Sequence, residues 1–246
     1  MSRNDYNMSV FLQRIADAIP QRSLDKSRLE DLKYFRLSKN ECIYVFDFSE
    51  NKLVFSKGFQ NILGYDDRVI TLDFIVSLYH PNDIDITNRI IEAGITYCLD
   101  NPDETRDAIL LISLRIRKKD GTYIRILRES SIYDIDEMGR ITSSFNKFTN
   151  ISFIDHTENV SWHFKAKNLN EEDFRKQVYK KYQNFFTERE VEIIVEMKKG
   201  LTNKEIAFEL SISEHTVATH RKHIFQKANC HTKEELILFC KGRGML

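Results

Sequence analysis

The spacing of apolar residues changes several times along the chain. Residues 8–19 carry apolar side chains at helical spacing and end at Pro20, and a second helical pattern covers about 24–37. A period of two, which is typical of strands, then begins. Five strands are predicted, over 42–48, 52–56, 108–118, 123–134 and 140–151. With a helix over 83–99 between the second and third strands, this order predicts an antiparallel sheet with helices on one face, an α+β domain.

After residue 153 the sequence is predicted to contain no further strand. The polar stretch 165–184 is interpreted as a linker or a connecting helix. Four short helices should follow, because T-x-x-E capping boxes begin at Thr187, Thr202 and Thr232, and Ser213 can cap a further helix. The predicted organisation is an N-terminal helical segment (1–40), the α+β domain (41–153), a linker or connecting helix (154–184) and an all-α domain of four helices (185–246).

The second and third of these helices are separated by a turn of three residues, 211–213, which predicts a helix-turn-helix. At about 100° per residue, Val217 and Ile224 point inward. The opposite side is small, polar and cationic, which suits a major groove about 12 Å wide. The residues predicted to face outward are His215, Ala218, Thr219, Lys222 and His223. Thr216, His220 and Arg221 flank them, where side chains can contact phosphates.

The formal net charge is zero, but the charge is unevenly distributed. Residues 1–164 hold 21 Lys or Arg against 25 Asp or Glu, whereas residues 165–246 hold 16 against 12. A basic C-terminal segment indicates a surface for a polyanion. A lysine-rich face that is merely solvated would show the same excess of basic residues, so charge alone does not decide between these two interpretations.

Composition narrows the class of protein. The apolar fraction of 41% and the charged fraction of 30% are typical of a globular chain. No apolar run reaches the roughly 18 residues of a membrane span, and the first residues lack a secretory signal, so we expect a cytoplasmic protein without a membrane partner. The four cysteines are far apart and form no C-x-x-C pair, which argues against a disulfide framework or a zinc knuckle.

Three motifs in the predicted α+β domain resemble those of PAS sensor domains. They are Gly58-Phe59-Gln60-Asn61-Ile62-Leu63-Gly64-Tyr65, His80-Pro81-Asn82-Asp83 and Arg117-Lys118-Lys119-Asp120-Gly121-Thr122-Tyr123. The resemblance covers about 41–153. It implies sensing through a small ligand or a partner surface, and often dimerisation; fold alone does not identify the signal.

The same resemblance bears on cofactors. Neither Cys42 nor Cys98 has the sequence context of the reactive cysteine of flavin photoreceptors, and residues 83–99 contain no histidine to serve as a haem ligand. His80 lies in the His-Pro loop, where a structural hydrogen bond is expected. We therefore expect no cofactor, and either an unidentified apolar small molecule or no ligand in this domain.

Residues Thr187–Leu246 resemble the LuxR/FixJ-type (GerE-like) helix-turn-helix domain. The resemblance is carried by Thr187-x-x-Glu190, by 200–207, by 210–217 and by His220, Ile224, Phe225 and Lys227. It implies base contacts from Ala218, Thr219 and Lys222, and backbone contacts from Lys204, Thr216 and His220. The family often has Lys where this chain has Ala218, so an apolar contact, for instance with a thymine methyl, is expected there. The family's fourth helix makes the dimer contact, for which Leu238 is the candidate.

These observations predict a bacterial transcription regulator in which a PAS sensor controls a helix-turn-helix that binds double-stranded DNA as a homodimer. RNA polymerase or another signalling protein is a further candidate partner. The alternative is a protein-interaction module with weak or no DNA binding, which salt dependence would distinguish. A metal site at His220 and His223, completed by Cys230 or His231, has no supporting ligand framework. No sequence motif of a phosphate loop, serine hydrolase or zinc protease supports an enzyme.

Overall fold

A computed structural model describes residues 8–20, 24, 26–182, 185–243 and 245. The chain divides into two compact units, one reaching Phe174 and the other starting at Arg175.

The N-terminal unit is built on one antiparallel sheet. Its strands are β1 (Glu41–Asp47), β2 (Lys52–Lys57), β3 (Ile109–Arg117), β4 (Tyr123–Ile135), β5 (Ile141–Asn150) and β6 (Ser161–Lys165). They lie in the order β2-β1-β5-β4-β3-β6, and every neighbouring pair is antiparallel. The predicted α+β class is confirmed, but the prediction of five strands is wrong. The sixth strand, β6, lies in the segment predicted to be a linker or connecting helix, where it pairs with β3.

Helices precede the sheet and fill the connection between its second and third strands. They are α1 (Met8–Ala18), α2 (Lys26–Asp31), α3 (Phe59–Ile62), α4 (Leu72–Ser77) and α5 (Pro81–Asp100). The helix predicted over 24–37 is shorter than expected, since α2 passes into a 3₁₀ turn at Leu32–Tyr34, and residue 25 lies outside the described residues. The helices predicted over 8–19 and 83–99 are present within one or two residues at each end.

A buried ion pair fixes the start of α5 against the sheet. Asp83 is 2% exposed, and its two carboxylate oxygens accept from the Arg115 guanidinium of β3 at 2.6 and 3.1 Å. His80 caps the helix, because its Nδ1 accepts from the Asn82 amide at 3.2 Å. Burial lowers the pKa of His80, which keeps this ring nitrogen free to accept. The hydrogen-bonding role predicted for His80 is therefore observed.

The C-terminal unit consists of helices around a shared core. After α6 (Glu171–Tyr179), which starts in the preceding unit, come α7 (Glu188–Lys199), α8 (Asn203–Glu209), α9 (Glu214–Ala228) and α10 (Lys233–Lys241). All three predicted capping boxes are present, as is the Ser213 cap. The most deeply buried core residues are Ile193, Ile194, Met197, Ile206, Val217, Ile224, Leu236 and Cys240. Gly200 ends α7 with φ of 92°, a left-handed conformation that favours glycine.

Candidate nucleic-acid interface

The turn between α8 and α9 is short and fully specified by local bonds. Ser211 has φ of 53°, and the next amide, of Ile212, donates to Ala207 O at 3.0 Å, which closes α8. Ser213 then begins α9, since its Oγ accepts from the Thr216 amide at 3.0 Å. The chain thus changes direction between α8 and α9 within a few residues, as a helix-turn-helix requires.

Two contacts from α7 support this turn and the far end of α9. Arg189 donates through Nη2 to the Leu210 carbonyl at 2.7 Å, at the C-terminal end of α8. Glu190 is 4% exposed and pairs with Lys227 of α9 at 2.6 Å. Burial acts to raise the pKa of Glu190, but the bonds from Lys227 and the Thr187 amide outweigh it, so the pKa is lowered.

The sequence analysis predicted that Glu190 reaches back to the Thr187 cap, but it assigned no partner to Lys227 and no role to Arg189. The sequence signal for Glu190 is the capping box, which places this residue in the first turn of α7. Its second partner, 37 positions along the chain, has no local signature.

The inner side of α9 is the side predicted from its helical period. Val217 and Ile224 are 0% exposed and belong to the core. His220, Arg221 and Thr216 are partly buried, at the flanks of the helix. Thr216 Oγ1 lies 2.8 Å from Ser213 Oγ, and either hydroxyl can donate in this bond, so the Thr216 hydroxyl can donate to another acceptor when Ser213 is the donor.

We call the opposite side the outer face of α9: His215, Ala218, Thr219, Lys222 and His223, all of which are exposed. Lys222 has no ion-pair partner among the described residues, so its ammonium is available to an anion. Thr219 Oγ1 donates to the His215 carbonyl at 3.0 Å, which leaves its oxygen free to accept and its methyl group free to pack. Lys204 is also exposed, near the start of α8.

The residue predicted to mediate dimerisation lies on α10. Leu238 is 39% exposed, whereas Leu236 and Cys240 of the same helix are completely buried. One apolar side chain is therefore presented to solvent on a helix whose other side holds the core. Sequence reasoning missed a second exposed apolar residue of this unit, Phe208 of α8, which is 84% exposed.

Among the described residues, no group of three or more His, Cys, Asp or Glu side chains is placed to hold a metal ion. Cys42, Cys98 and Cys240 are buried, Cys230 is partly buried, and all four are free thiols. In the described part of the chain, no helix is both long and apolar enough to cross a membrane.

Four helices around one core, α7 to α10, with a short α8–α9 turn and an exposed cationic side on α9, define the helix-turn-helix class of nucleic-acid-binding domains. Residues 184–240 match the sequence model of the family described as "Bacterial regulatory proteins, luxR family". The resemblance predicted for the C-terminal region is therefore confirmed.

Curated relatives match mainly over this region. The chain is 39% identical over 61 residues to the uncharacterized transcriptional regulatory protein YxjL of Bacillus subtilis, covering 25% of this chain and 28% of YxjL. It is 42% identical over 59 residues to the nitrate/nitrite response regulator NarP of Escherichia coli, covering 24% and 27%. The oxygen regulatory protein NreC of Staphylococcus aureus is 31% identical over 151 residues, covering 61% and 53%. The chain thus spans about a quarter to a half of the length of these relatives.

Two solved structures match the chain at lower sequence identity. The VqmA dimer of Vibrio cholerae, described as a LuxR-type receptor, is 14% identical and covers 91% of this chain and 89% of its own, with a TM-score of 0.31. A LOV protein of Rhodobacter sphaeroides is 15% identical and covers 55% and 73%, with a TM-score of 0.40.

Proposed function

We propose that this chain is a transcription regulator rather than an enzyme, and that it binds specific duplex DNA through the outer face of α9. The observation that carries the proposal is the division of α9 into two sides. Val217 and Ile224 are completely buried, while Thr219 and Lys222 are exposed. A rigidly anchored helix with an exposed polar and cationic side is the element that reads base edges in the major groove.

Each side chain has a distinct role in this proposal. Thr219 and Lys222 contact bases together with Ala218, whose methyl group fits against a thymine methyl. Lys204, Thr216, His220 and Arg221 contact phosphates and fix the register of the helix, and His215 and His223 extend the same face at either end. The chain acts as a homodimer in the cytoplasm, where the N-terminal unit senses a signal and changes DNA affinity or contact with RNA polymerase.

The test begins with a duplex selected from a random library by the full chain. We expect Lys222→Ala and Thr219→Ala each to weaken binding of that duplex by about 5- to 150-fold, the equivalent of a lost base contact of about 1–3 kcal/mol. Lys198→Ala changes an exposed lysine of α7 in the same unit and serves as the control, with unchanged affinity. Unchanged affinity in both α9 variants would overturn the proposal.

Salt dependence separates this proposal from a protein-interaction module. Phosphate contacts release counterions, so the affinity of the full chain for the selected duplex should fall steeply from about 50 to 200 mM salt. If no duplex is enriched in the selection, or if binding is insensitive to salt, the interaction module is the better explanation.

A further inference from the structure

The N-terminal unit contains a cavity of about 70 Å³ between the sheet and its helices. That volume exceeds by several times the 10–15 Å³ that one water needs on the same measure. Most of its wall is apolar, including Leu12 of α1, Ile91 of α5 and Phe164 of β6. Burial raises the pKa of Cys98, another wall residue, to about 12, so its thiol stays neutral.

Of the described residues that line this cavity, one is charged. Arg128 of β4 is 6% exposed, and in the described residues no carboxylate forms an ion pair with it or lines the cavity. A guanidinium cannot lose its proton in a protein, so the charge remains at all accessible pH values. Holding an uncompensated charge out of water is strongly unfavourable, and such groups are normally paired.

The hydrogen bonds of Arg128 are also incomplete. Its Nη2 donates to Asn146 Oδ1 at 2.9 Å, but buried Nε and Nη1 have no partner in the described structure. The buried phenol oxygen of Tyr44 lies close to the Arg128 guanidinium but forms no well-aligned hydrogen bond, and burial raises the pKa of Tyr44, which keeps it a neutral donor. Unsatisfied donors beside an open volume indicate a missing acceptor.

The strand register holds these groups together. Tyr44 of β1 is directly opposite Asn146 of β5, which is directly opposite Ser130 of β4. Ser130 donates to Asn146 Oδ1 at 2.8 Å, and Asn146 Nδ2 donates to Ser144 Oγ at 3.0 Å. Asn146 is thus fixed on both sides, and it in turn orients the guanidinium. The site is preorganised on three neighbouring strands.

We propose that this cavity binds a small organic carboxylate with an apolar body, whose carboxylate pairs with Arg128 and accepts from Tyr44. Planar carboxylates match the guanidinium fork, and charge-assisted bonds of this kind are stronger than neutral ones. The apolar walls select the rest of the molecule, as in other largely apolar pockets with a few polar groups. The proposal concerns the N-terminal unit alone and does not depend on DNA binding by α9.

The test compares carboxylates with neutral molecules of the same shape. Hexanoate, cyclohexanecarboxylate and phenylacetate are each paired with their primary amide at constant ionic strength. Thermal unfolding of the full chain is followed by fluorescence of Trp162, the single tryptophan, which lies on β6. At about ten times its dissociation constant, a bound carboxylate should raise the unfolding temperature by about 3–6 °C, and its amide should not.

Arg128→Met separates binding from a structural role. We expect it to abolish the carboxylate shift while its unliganded unfolding temperature equals or exceeds that of the wild type, because an uncompensated buried charge has been removed. Arg117→Met, at an exposed arginine of β3, should keep the shift. The proposal is overturned if no carboxylate stabilises the wild type more than its amide does, or if Arg128→Met retains the shift. Calorimetric titration of the wild type with the same pairs decides the question if Arg128→Met does not fold.

Discussion

Two buried arginines on the same strand show how environment decides what a residue does. Arg125 and Arg128 both lie on β4, and both are less than 10% exposed. Every guanidinium nitrogen of Arg125 has a partner: its Nε donates to Ser113 Oγ at 2.8 Å and to Asp155 Oδ2 at 3.1 Å, and its other nitrogens donate to the carbonyls of Ser113, Thr157 and Asn159. Among the residues that the structure describes, Arg128 has one hydrogen bond, to Asn146, and no counterion. The first is a structural residue, and the second has the properties of a binding residue.

This contrast predicts opposite effects on stability. Arg125→Met removes the cationic partner of Asp155 and one donor from each of three carbonyls, so it should destabilise the N-terminal unit by about 3–5 kcal/mol. Urea unfolding followed by Trp162 fluorescence measures the change. Arg128→Met is the matched comparison on the same strand, and its free energy of unfolding should differ little from that of the wild type. Equal destabilisation by the two variants would contradict the assignment of Arg125 to a structural role and of Arg128 to a binding role.

The ion pair between Glu190 and Lys227 predicts a pH dependence of the C-terminal unit. Because the pKa of Glu190 is lowered on folding, its contribution is complete above the unfolded value of about 4.5 and is lost as the pH falls through the lower folded value. Glu190→Gln should lower the free energy of unfolding of the C-terminal unit by about 1–3 kcal/mol at pH 7. Acidification should lower it little further, because the group that titrates has been removed. Hydrogen exchange of the α7 and α9 amides at several pH values measures both the loss of stability at pH 7 and its dependence on pH.

The control for that prediction is Glu192→Gln on the same helix. Glu192 pairs with Arg189, but its side chain is 52% exposed, so solvent screens the interaction and the variant should behave as the wild type. If Glu190→Gln retained the acid sensitivity of the wild type, the loss at low pH would have to come from another group.

Among the secondary-structure elements, those with strong local sequence signals could be predicted. The Thr187, Thr202 and Thr232 capping boxes each fixed a helix start to the residue, because the bonds involved join positions three apart. The burial of Val217 and Ile224 followed from the helical period of α9 alone. Local chemistry therefore determines the outline of the helix-turn-helix.

The strand that was missed had a weak local signal. β6 is five residues long, and only Trp162 and Phe164 alternate with its polar residues. Phe164 is buried because it stacks on Phe174 at 4.6 Å and meets the Tyr97 ring edge-on at 5.4 Å. These partners are ten and 67 positions away, and β6 pairs with β3 about fifty positions earlier. A short strand stabilised by distant contacts cannot be read from its own residues.

The cap of α9 predicts a coupled effect on folding and binding. Ser213→Ala removes the side-chain acceptor for the Thr216 amide and should cost about 1 kcal/mol of stability in the C-terminal unit. The first turn carries His215 and Thr216, so fraying there should also weaken binding to the selected duplex. Hydrogen exchange and electrophoretic mobility measure the two effects. Ser213→Asn keeps a good cap and should restore both, and failure of that rescue would separate capping from binding.

At the scale of the whole molecule, the two candidate sites differ in how far the sequence could predict them. The outer face of α9 comes from one helix, so its members could be identified from their spacing. The cavity site joins Tyr44 with Arg128 and Asn146, which follow it 84 and 102 positions later in the chain and which only strand pairing brings to it. Sequence reasoning therefore anticipated an apolar ligand or none, and had no means of locating a buried cation in the same cavity.

The proposed homodimer gives the last prediction. A single recognition helix contacts few base pairs, and helix-turn-helix proteins gain affinity by binding two half-sites one helical turn apart. If Leu238 lies at the dimer contact, Leu238→Asp places a charge in an apolar interface and should shift the chain from dimer to monomer in sedimentation velocity. Affinity for a duplex with two half-sites should then fall to that for one half-site, which itself stays unchanged because the outer face of α9 is intact.

Phe208→Asp is the control for this prediction, since it introduces the same charge at an apolar residue of the same unit that is even more exposed than Leu238. It should leave the sedimentation coefficient unaltered. A Leu238→Asp protein that sediments as the wild type would remove α10 from the dimer contact. Loss of the dimer in both variants would point to a general effect of charge on the unit. Dissociation of Leu238→Asp alone, with one-half-site binding preserved, would show that dimerisation and base reading are carried by different helices of the same unit.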